Sequence, residues 1–174
     1  MKPLILCGTF LAAATMLSAQ PSPKQTATAM IGGKAVTIKY SAPSVKGRKI
    51  FGEGGLVSKD PQAPIWRAGA NSATALHTDA DIMIGGLAVP AGDYTLFVDL
   101  KDSEKWELIV SKETGQWGLA YKPANDLGRV KMTMSKPSAP VEMLKYTITD
   151  SGSGKGKIQL EWENHVASVP VSIK

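Results

Sequence analysis

Three side chains with different polar chemistry occur within six residues, in the segment Trp66-Arg67-Ala68-Gly69-Ala70-Asn71. A guanidinium binds carboxylates and phosphates, an amide both donates and accepts hydrogen bonds, and an indole face stacks on a sugar or an aromatic ring. The small residues between Arg67 and Asn71 leave room for a ligand to approach both. The segment therefore predicts a ligand-binding site formed by Trp66, Arg67 and Asn71.

A structural interpretation of the same segment competes with this one. Trp66 suits a hydrophobic core, and the side chain of Asn71 can close a turn. Arg67 can pair with a carboxylate such as Glu53 or Asp60. The two interpretations differ in one observable, which is whether the Arg67 guanidinium is free or ion-paired in the folded protein.

A second segment concentrates positive charge, because Lys46, Arg48 and Lys49 surround Gly47 directly after a strand-like run. Cations beside a glycine hold phosphates or carboxylates through charge-assisted hydrogen bonds. We therefore add Lys46, Arg48 and Lys49 to the predicted ligand-binding residues. The alternative is an ordinary loop, shaped by Pro43 and Gly47, whose cations are solvated or paired with nearby acids.

Support for catalysis or metal binding is thinner. His77, Asp79 and Asp81 alternate, so an extended backbone would place all three on one side, where they are weak candidates for a metal site or a general base. The same aspartates also suit a turn between strands. His165, beside Asn164, is a weaker candidate still. No serine elbow or nucleotide-binding loop occurs, so the sequence identifies no catalytic residue and predicts no cofactor.

Period-two alternation of apolar residues dominates the rest of the chain and predicts β-strands. Each alternating set would turn one face inward and leave Lys, Thr, Glu or Ser on the other. The sets begin at Val36, Tyr94, Trp106, Val130, Leu144, Ile158 and Val169.

Turn residues support the same assignment. Gly32-Gly33 and Gly85-Gly86 each separate two β-rich runs, which is the pattern of a tight hairpin. No convincing helix and no internal repeat is found. We predict one all-β domain over residues 21–174, an antiparallel β-sandwich or jelly-roll-like fold of roughly ten short strands.

Residues 1–20 differ in kind from the remainder. Lys2 provides a positive start, the run Leu4–Leu17 is apolar and uncharged, and small or polar residues follow it. This arrangement is typical of a secretory signal peptide, and we predict cleavage near Ala19 and Gln20. The protein is therefore expected in the periplasm or outside the cell.

Charge and cysteine usage restrict the partners of the processed chain. The only cysteine, Cys7, lies too early in the apolar run for a lipoprotein signal, and its removal leaves a chain without disulfides. Loss of Lys2 lowers the formal net charge from +5 to +4. This weakly basic balance, together with export, argues against a nucleic-acid partner. No second apolar stretch is long enough to be a transmembrane segment.

The two polar segments occur with further motifs at Pro90-Ala91-Gly92-Asp93-Tyr94, Thr114-Gly115-Gln116-Trp117-Gly118 and Leu160-Glu161-Trp162-Glu163. In this order, from about Ser22 to Ile173, the chain resembles an exported bacterial family catalogued as domain of unknown function 2911. The motif positions that match are Lys46, Gly47, Arg48, Trp66, Arg67, Gly69, Asn71 and Trp117. The resemblance implies one fold and an envelope location, and it implies no activity.

Three functions follow as hypotheses. The favoured one is a non-catalytic module of the cell envelope that binds a ligand or surface, with an envelope saccharide or another anionic or sugar-containing ligand as partner. The first alternative is a hydrolase that uses Arg67, Asn71 and His77. The second is a structural partner domain whose exposed strands make the contact. A pocket that joins Arg67 and Asn71 to His77 would favour the hydrolase.

Overall fold

The computed structural model describes residues 21–174, and the predicted signal peptide at residues 1–20 lies outside the described residues. The described chain forms thirteen strands and two short 3-10 turns, Val57–Lys59 and Pro123–Asn125. The strands are β1 Lys24–Ile31, β2 Lys34–Ser41, β3 Ile65–Trp66, β4 Thr74–Thr78, β5 Ile82–Ile84, β6 Leu87–Val89, β7 Gly92–Asp99, β8 Glu107–Ser111, β9 Asp126–Lys131, β10 Thr133–Ser135, β11 Val141–Gly152, β12 Lys155–Glu163 and β13 His165–Ile173.

Two antiparallel sheets are built from these strands. The first has the order β1-β2-β4-β7-β8-β9, with β3 paired to β7. The second has the order β11-β12-β13-β5-β6, with β10 paired to β13. The sheets approach each other along their edges, where β1 contacts β11 and β6 contacts β9. This is the all-β sandwich that the alternation predicts.

The inward faces of the two sheets form the core. Residues of the alternating sets, such as Ile38, Leu96 and Leu160, are almost fully buried. Trp162 is 1% exposed and stacks on Trp66 with ring centroids 5.7 Å apart. Because residues two apart in a strand face the same side, the sequence pattern alone places these residues in the core.

The two glycine pairs form the hairpin turns expected of them. Gly32 and Gly33 have φ angles of 54° and 77° and connect β1 to β2, and Gly85 and Gly86 do the same between β5 and β6. Positive φ at both central positions gives a turn whose twist matches that of the strands it joins.

The strand count exceeds the prediction of roughly ten, because β3, β5, β6 and β10 have only two or three residues, too few to show alternation. The run that begins at Val130 is also divided between the sheets. β9 pairs in the first sheet and β10 in the second, with Met132 between them. Within residues 21–174, no helical element has the length and apolarity needed to cross a membrane.

Candidate functional site

Arg67 is ion-paired in the folded protein. Its Nη2 donates a hydrogen bond to Asp60 Oδ2 over 2.8 Å, and the side chains are only 14% and 20% exposed. Asp60 directly follows the turn Val57–Lys59, and Arg67 directly follows β3. The ion pair therefore links the turn to the end of a strand in the first sheet. Of the two interpretations of this segment, the geometry supports the structural one for Arg67.

Trp66 and Asn71 also have structural surroundings. Trp66 is 2% exposed and offers no free face to a ligand, because Trp162 stacks on it and Phe51 meets its edge. Asn71 has a φ of 61°, and its carbonyl accepts a hydrogen bond from Gly118 N. Gly118 must lack a side chain, because a Cβ atom there would collide with the Asn71 carbonyl oxygen and with the Arg67 side chain. The loop that contains Gly118 thus packs against the segment from Trp66 to Asn71 and holds it in place.

The structure does bring the three predicted residues together. Trp66, Arg67 and Asn71 line one cavity, which also contains Asp60 and measures about 180 Å³. Ligand pockets for small molecules usually measure about 300–1,000 Å³. This cavity is therefore small for a ligand, and its guanidinium already has a carboxylate partner. We call it the Arg67 cavity.

The basic turn does not join the Arg67 cavity. Arg48 donates from Nη2 to Ser44 O over 2.6 Å and from Nε to Val45 O over 3.0 Å. Lys49 Nζ donates to Glu53 O over 2.7 Å. These two cations are therefore engaged by carbonyls of their own loop. Lys46 has a φ of 49° and begins the turn that Gly47 completes, and its backbone N–H donates to a glutamate of β11.

His77 lies on the outer face of the first sheet, apart from the residues that line the Arg67 cavity. Its Nδ1 is 2.8 Å from Asp93 Oδ1 and its Nε2 is 3.0 Å from Asp79 Oδ1. Hydrogen bonding to Asp93, and next to Asp79, raises the pKa of His77 above its ordinary value of 6.5. The hydrolase arrangement of Arg67, Asn71 and His77 is therefore not assembled in one cavity.

The weak metal candidates are also separated. Asp81 does not join His77 and Asp79, because its Oδ1 accepts a hydrogen bond from Ala91 N instead. Over the described range 21–174, no group of three or more His, Cys, Asp or Glu side chains is arranged to hold a metal ion.

A larger cavity, of about 420 Å³, opens between the segment after β2 and the β7–β8 connection. Its floor is aromatic and is formed by Phe51, Trp106 and His165. The His165 ring stacks on Trp106 with centroids 5.2 Å apart and planes 16° from parallel. The Phe51 centroid lies 4.8 Å from each of these two rings. We call this cavity the aromatic cleft.

Polar groups occupy the rim of the aromatic cleft. Glu53, Ser58, Lys101 and Ser103 line it. Ser58 Oγ donates to Gly55 O over 2.8 Å, whereas the side chains of Lys101 and Ser103 form no hydrogen bond or ion pair with the rest of residues 21–174. A further cavity of about 580 Å³ continues on the other side of Ser103 and His165. The rim thus offers donors and acceptors that the protein does not use internally.

His165 is the titratable group in the floor of the aromatic cleft. Its Nδ1 is buried without a hydrogen-bond partner, and the nearest carboxylate oxygen, Glu163 Oε2, is 3.5 Å away. Burial lowers the pKa of His165 below its ordinary value of 6.5, and the charge of Glu163 opposes this only in part. The ring is therefore neutral at pH 7, and a neutral imidazole stacks without bringing a charge into the floor.

Sequence reasoning missed the aromatic cleft, because its residues come from distant parts of the chain. The sequence pattern places Trp106 in a strand and Ser103 in a turn with Asp102, makes His165 a weak catalytic candidate, and gives Lys101 no functional role. The fold brings them together where β7 joins β8 and where β12 joins β13. Only a tertiary prediction, rather than local spacing, would have identified this group.

Residues 22–171 match the model of the family described as Protein of unknown function (DUF2911). No curated protein and no solved structure matches the chain. Because the family model covers most of the chain, this protein belongs to the DUF2911 family, as the order of its motifs predicts.

Proposed function

We propose that this member of the DUF2911 family is a non-catalytic binding module of the cell envelope, and that it holds a saccharide unit in the aromatic cleft. One observation carries the proposal: a cavity of about 420 Å³ has an aromatic floor and a rim with unused polar side chains. Its volume lies within the range of about 300–1,000 Å³ that is usual for small-molecule pockets.

The chemistry of the aromatic cleft suits a sugar ring. A pyranose presents C–H groups on its faces and hydroxyls at its edge, so it needs an apolar platform surrounded by donors and acceptors. His165 provides most of this platform, because its side chain is 29% exposed, whereas Phe51 and Trp106 are 8% and 2% exposed. Lys101 donates, Glu53 accepts and Ser103 does both.

The ligand site of this proposal differs from the one that the sequence predicts. At the Arg67 cavity the guanidinium already has Asp60, and Trp66 has no free face. A ligand there would compete with the protein's own contacts. In the aromatic cleft it would satisfy groups that have no internal partner, which makes the cleft the better-supported site.

Binding is favoured over hydrolysis because His77 lies apart from Arg67 and Asn71. The location in the envelope rests on the predicted signal peptide. Intact-mass measurement of protein recovered from the periplasm should show a chain without its first nineteen or twenty residues. Retention of Cys7 would contradict export.

The saccharide proposal is tested by calorimetric titration of the purified protein with a panel of envelope oligosaccharides. Ser103→Trp fills the cleft and should abolish binding of the oligosaccharide that the parent protein binds. Ser151→Trp adds the same side chain to an exposed hairpin end and should leave the affinity unchanged. Failure of every oligosaccharide to bind the parent protein, or equal binding by both variants, would reject the cleft as a saccharide site.

A further inference from the structure

A separate groove of about 370 Å³ lies on the outer face of the first sheet. It crosses β1, β2 and β4 and is bounded by Gly115 and Gln116 of the β8–β9 connection. Small residues, including the exposed Ala75, form its base. The groove shares no lining residue with the aromatic cleft.

The charged residues among those that line the groove are both lysines, Lys24 and Lys39. Thr26 pairs with Lys39 across the β1–β2 ladder, and Lys24 lies two residues before Thr26. All three therefore share one face of the sheet, and the two lysines are diagonal neighbours about 7–8 Å apart, with their Cβ atoms somewhat closer. This spacing lets two flexible ammonium groups reach one anion from both sides.

Neither lysine forms an ion pair within residues 21–174. Two like charges this close on one face repel each other, and no acidic side chain in the groove offsets the repulsion. A bound anion would offset it. The positive charge of the groove is thus complementary to an anionic ligand, and no lining residue carries the opposite charge.

Neutral polar groups line the groove together with the lysines, and an exposed tryptophan is adjacent to two of the lining residues. Gln25, Thr26, Ser72 and Gln116 line the groove. Thr26 and Ser72 provide hydroxyls, whereas Gln116 Oε1 accepts a hydrogen bond from Thr95 Oγ1 and Gln116 Nε2 is buried. Trp117 does not itself line the groove, but it follows Gln116, forms a backbone bridge with Ser72, and is 55% exposed. A tryptophan with this much exposed surface, next to two lining residues, offers the stacking face that Trp66 lacks.

We propose that this groove binds an acidic polysaccharide, with a carboxylate of the glycan between Lys24 and Lys39 and a sugar ring on Trp117. The two lysines select the negative charge, and the exposed indole selects a ring rather than a bare ion. This site is additional to the saccharide site in the aromatic cleft and rests on different residues.

The test is a calorimetric titration of the purified protein with polygalacturonate, and with its fully methyl-esterified form as the uncharged control. We expect binding of polygalacturonate alone. The double variant Lys24→Gln/Lys39→Gln should lose at least about tenfold in affinity, because it removes two charge-assisted contacts. Lys155→Gln/Lys157→Gln removes the same charge from the second sheet and should change the affinity less than about twofold.

Two further variants separate this site from its alternatives. Trp117→Ala should weaken binding of polygalacturonate without affecting the weak binding of inorganic phosphate, and Ser103→Trp in the aromatic cleft should have no effect. Equal losses from the two lysine pairs would overturn the proposal, because the binding would then follow net charge alone. Absence of polygalacturonate binding, or preference for phosphatidylglycerol vesicles, would overturn it as well.

Discussion

The Arg67 cavity and the aromatic cleft share Val57 as a wall, yet their polar groups are in opposite states. In the Arg67 cavity the guanidinium holds Asp60, and the adjacent indole is covered by Trp162. In the aromatic cleft, Lys101 and Ser103 face the cavity without a partner elsewhere in the described chain. In the Arg67 cavity the polar side chains stabilise the fold. In the aromatic cleft the side chains of Lys101 and Ser103 remain available to a ligand.

This difference shows why a dense polar motif is an ambiguous signal. A loop that must join β3 to β4 beside a hydrophobic core needs an ion pair, a positive-φ residue and close backbone packing. Those needs place Arg, Asn and Gly close together in the sequence. A ligand site, by contrast, can be assembled from residues that are each unremarkable in the sequence.

The largest expected effect is at Trp66, which should be a core residue and nothing else. Trp66→Ala should lower the free energy of unfolding by about 3–5 kcal/mol, because it removes a buried indole and leaves a cavity beside Trp162. Trp117→Ala, at an exposed position, should cost less than about 1 kcal/mol. Chemical denaturation of both variants measures the difference. A small loss at Trp66 would mean that the Arg67 cavity is not part of the core.

A smaller loss of stability is expected from replacing Arg67. Arg67→Ala leaves the Asp60 carboxylate mostly buried without its partner, and should cost about 1–3 kcal/mol, since the pair retains some exposure to water. Arg48→Ala removes contacts to loop carbonyls at an exposed turn and should cost less than Arg67→Ala. Thermal and chemical unfolding of unliganded protein will compare them. An unchanged stability of Arg67→Ala would return Arg67 to the list of ligand-binding candidates.

The Arg67–Asp60 pair can be isolated by a double-mutant cycle. Asp60→Ala and Arg67→Ala should each destabilise the protein, and the double variant should cost clearly less than the sum, because neither charge is then left alone. Additive losses would show that the two residues stabilise the fold through other contacts.

Strand positions were predictable from the sequence, because a residue such as Ile38 or Leu160 belongs to an alternating run that fixes its face. Strands as short as β3 and β5 were not, since two or three residues define no period. For the site, Glu53 and Asp60 could be named as examples of a carboxylate that pairs with Arg67, and Asp60 is the partner. The aromatic cleft could not be found, because the contact between Trp106 and His165 depends on tertiary structure.

The two histidines should give opposite pH dependences of stability. Burial lowers the pKa of His165 in the folded state below its ordinary value of 6.5. Its contribution to stability is therefore fully present above pH 6.5 and is lost as the pH falls through the lowered pKa. Asp93 and Asp79 raise the pKa of His77, so its contribution is fully present below pH 6.5 and is lost as the pH rises.

His165→Gln and His77→Gln test these signs. The stability advantage of the parent protein over His165→Gln should shrink as the pH falls below 6.5, and its advantage over His77→Gln should shrink as the pH rises above 6.5. Denaturation curves at a series of pH values give both differences, and comparison with the parent cancels the titration of other groups. If the advantage over His165→Gln also shrinks as the pH rises, burial does not lower the pKa of His165 in the folded protein.

The smallest expected effect on stability is at the rim of the aromatic cleft. Ser103→Ala and Lys101→Gln should each change the free energy of unfolding by less than about 0.5 kcal/mol, because neither side chain has an internal partner to lose. Ser58→Ala is a control in the same cleft. Ser58 donates to Gly55 O, and the loss of that hydrogen bond should cost about 0.5–1.5 kcal/mol.

If the rim contributes nothing to stability, the fold itself does not require a lysine and a serine among the residues that line this cavity. If Ser103→Ala proves as costly as Ser58→Ala, Ser103 belongs to the fold, as Arg67 does, and the contrast between the two cavities disappears. If Ser103→Ala and Lys101→Gln leave stability unchanged but weaken saccharide binding, the side chains are kept free for the ligand. Measuring unfolding and binding on the same two variants therefore decides whether the aromatic cleft is a ligand-binding site or has only a structural role.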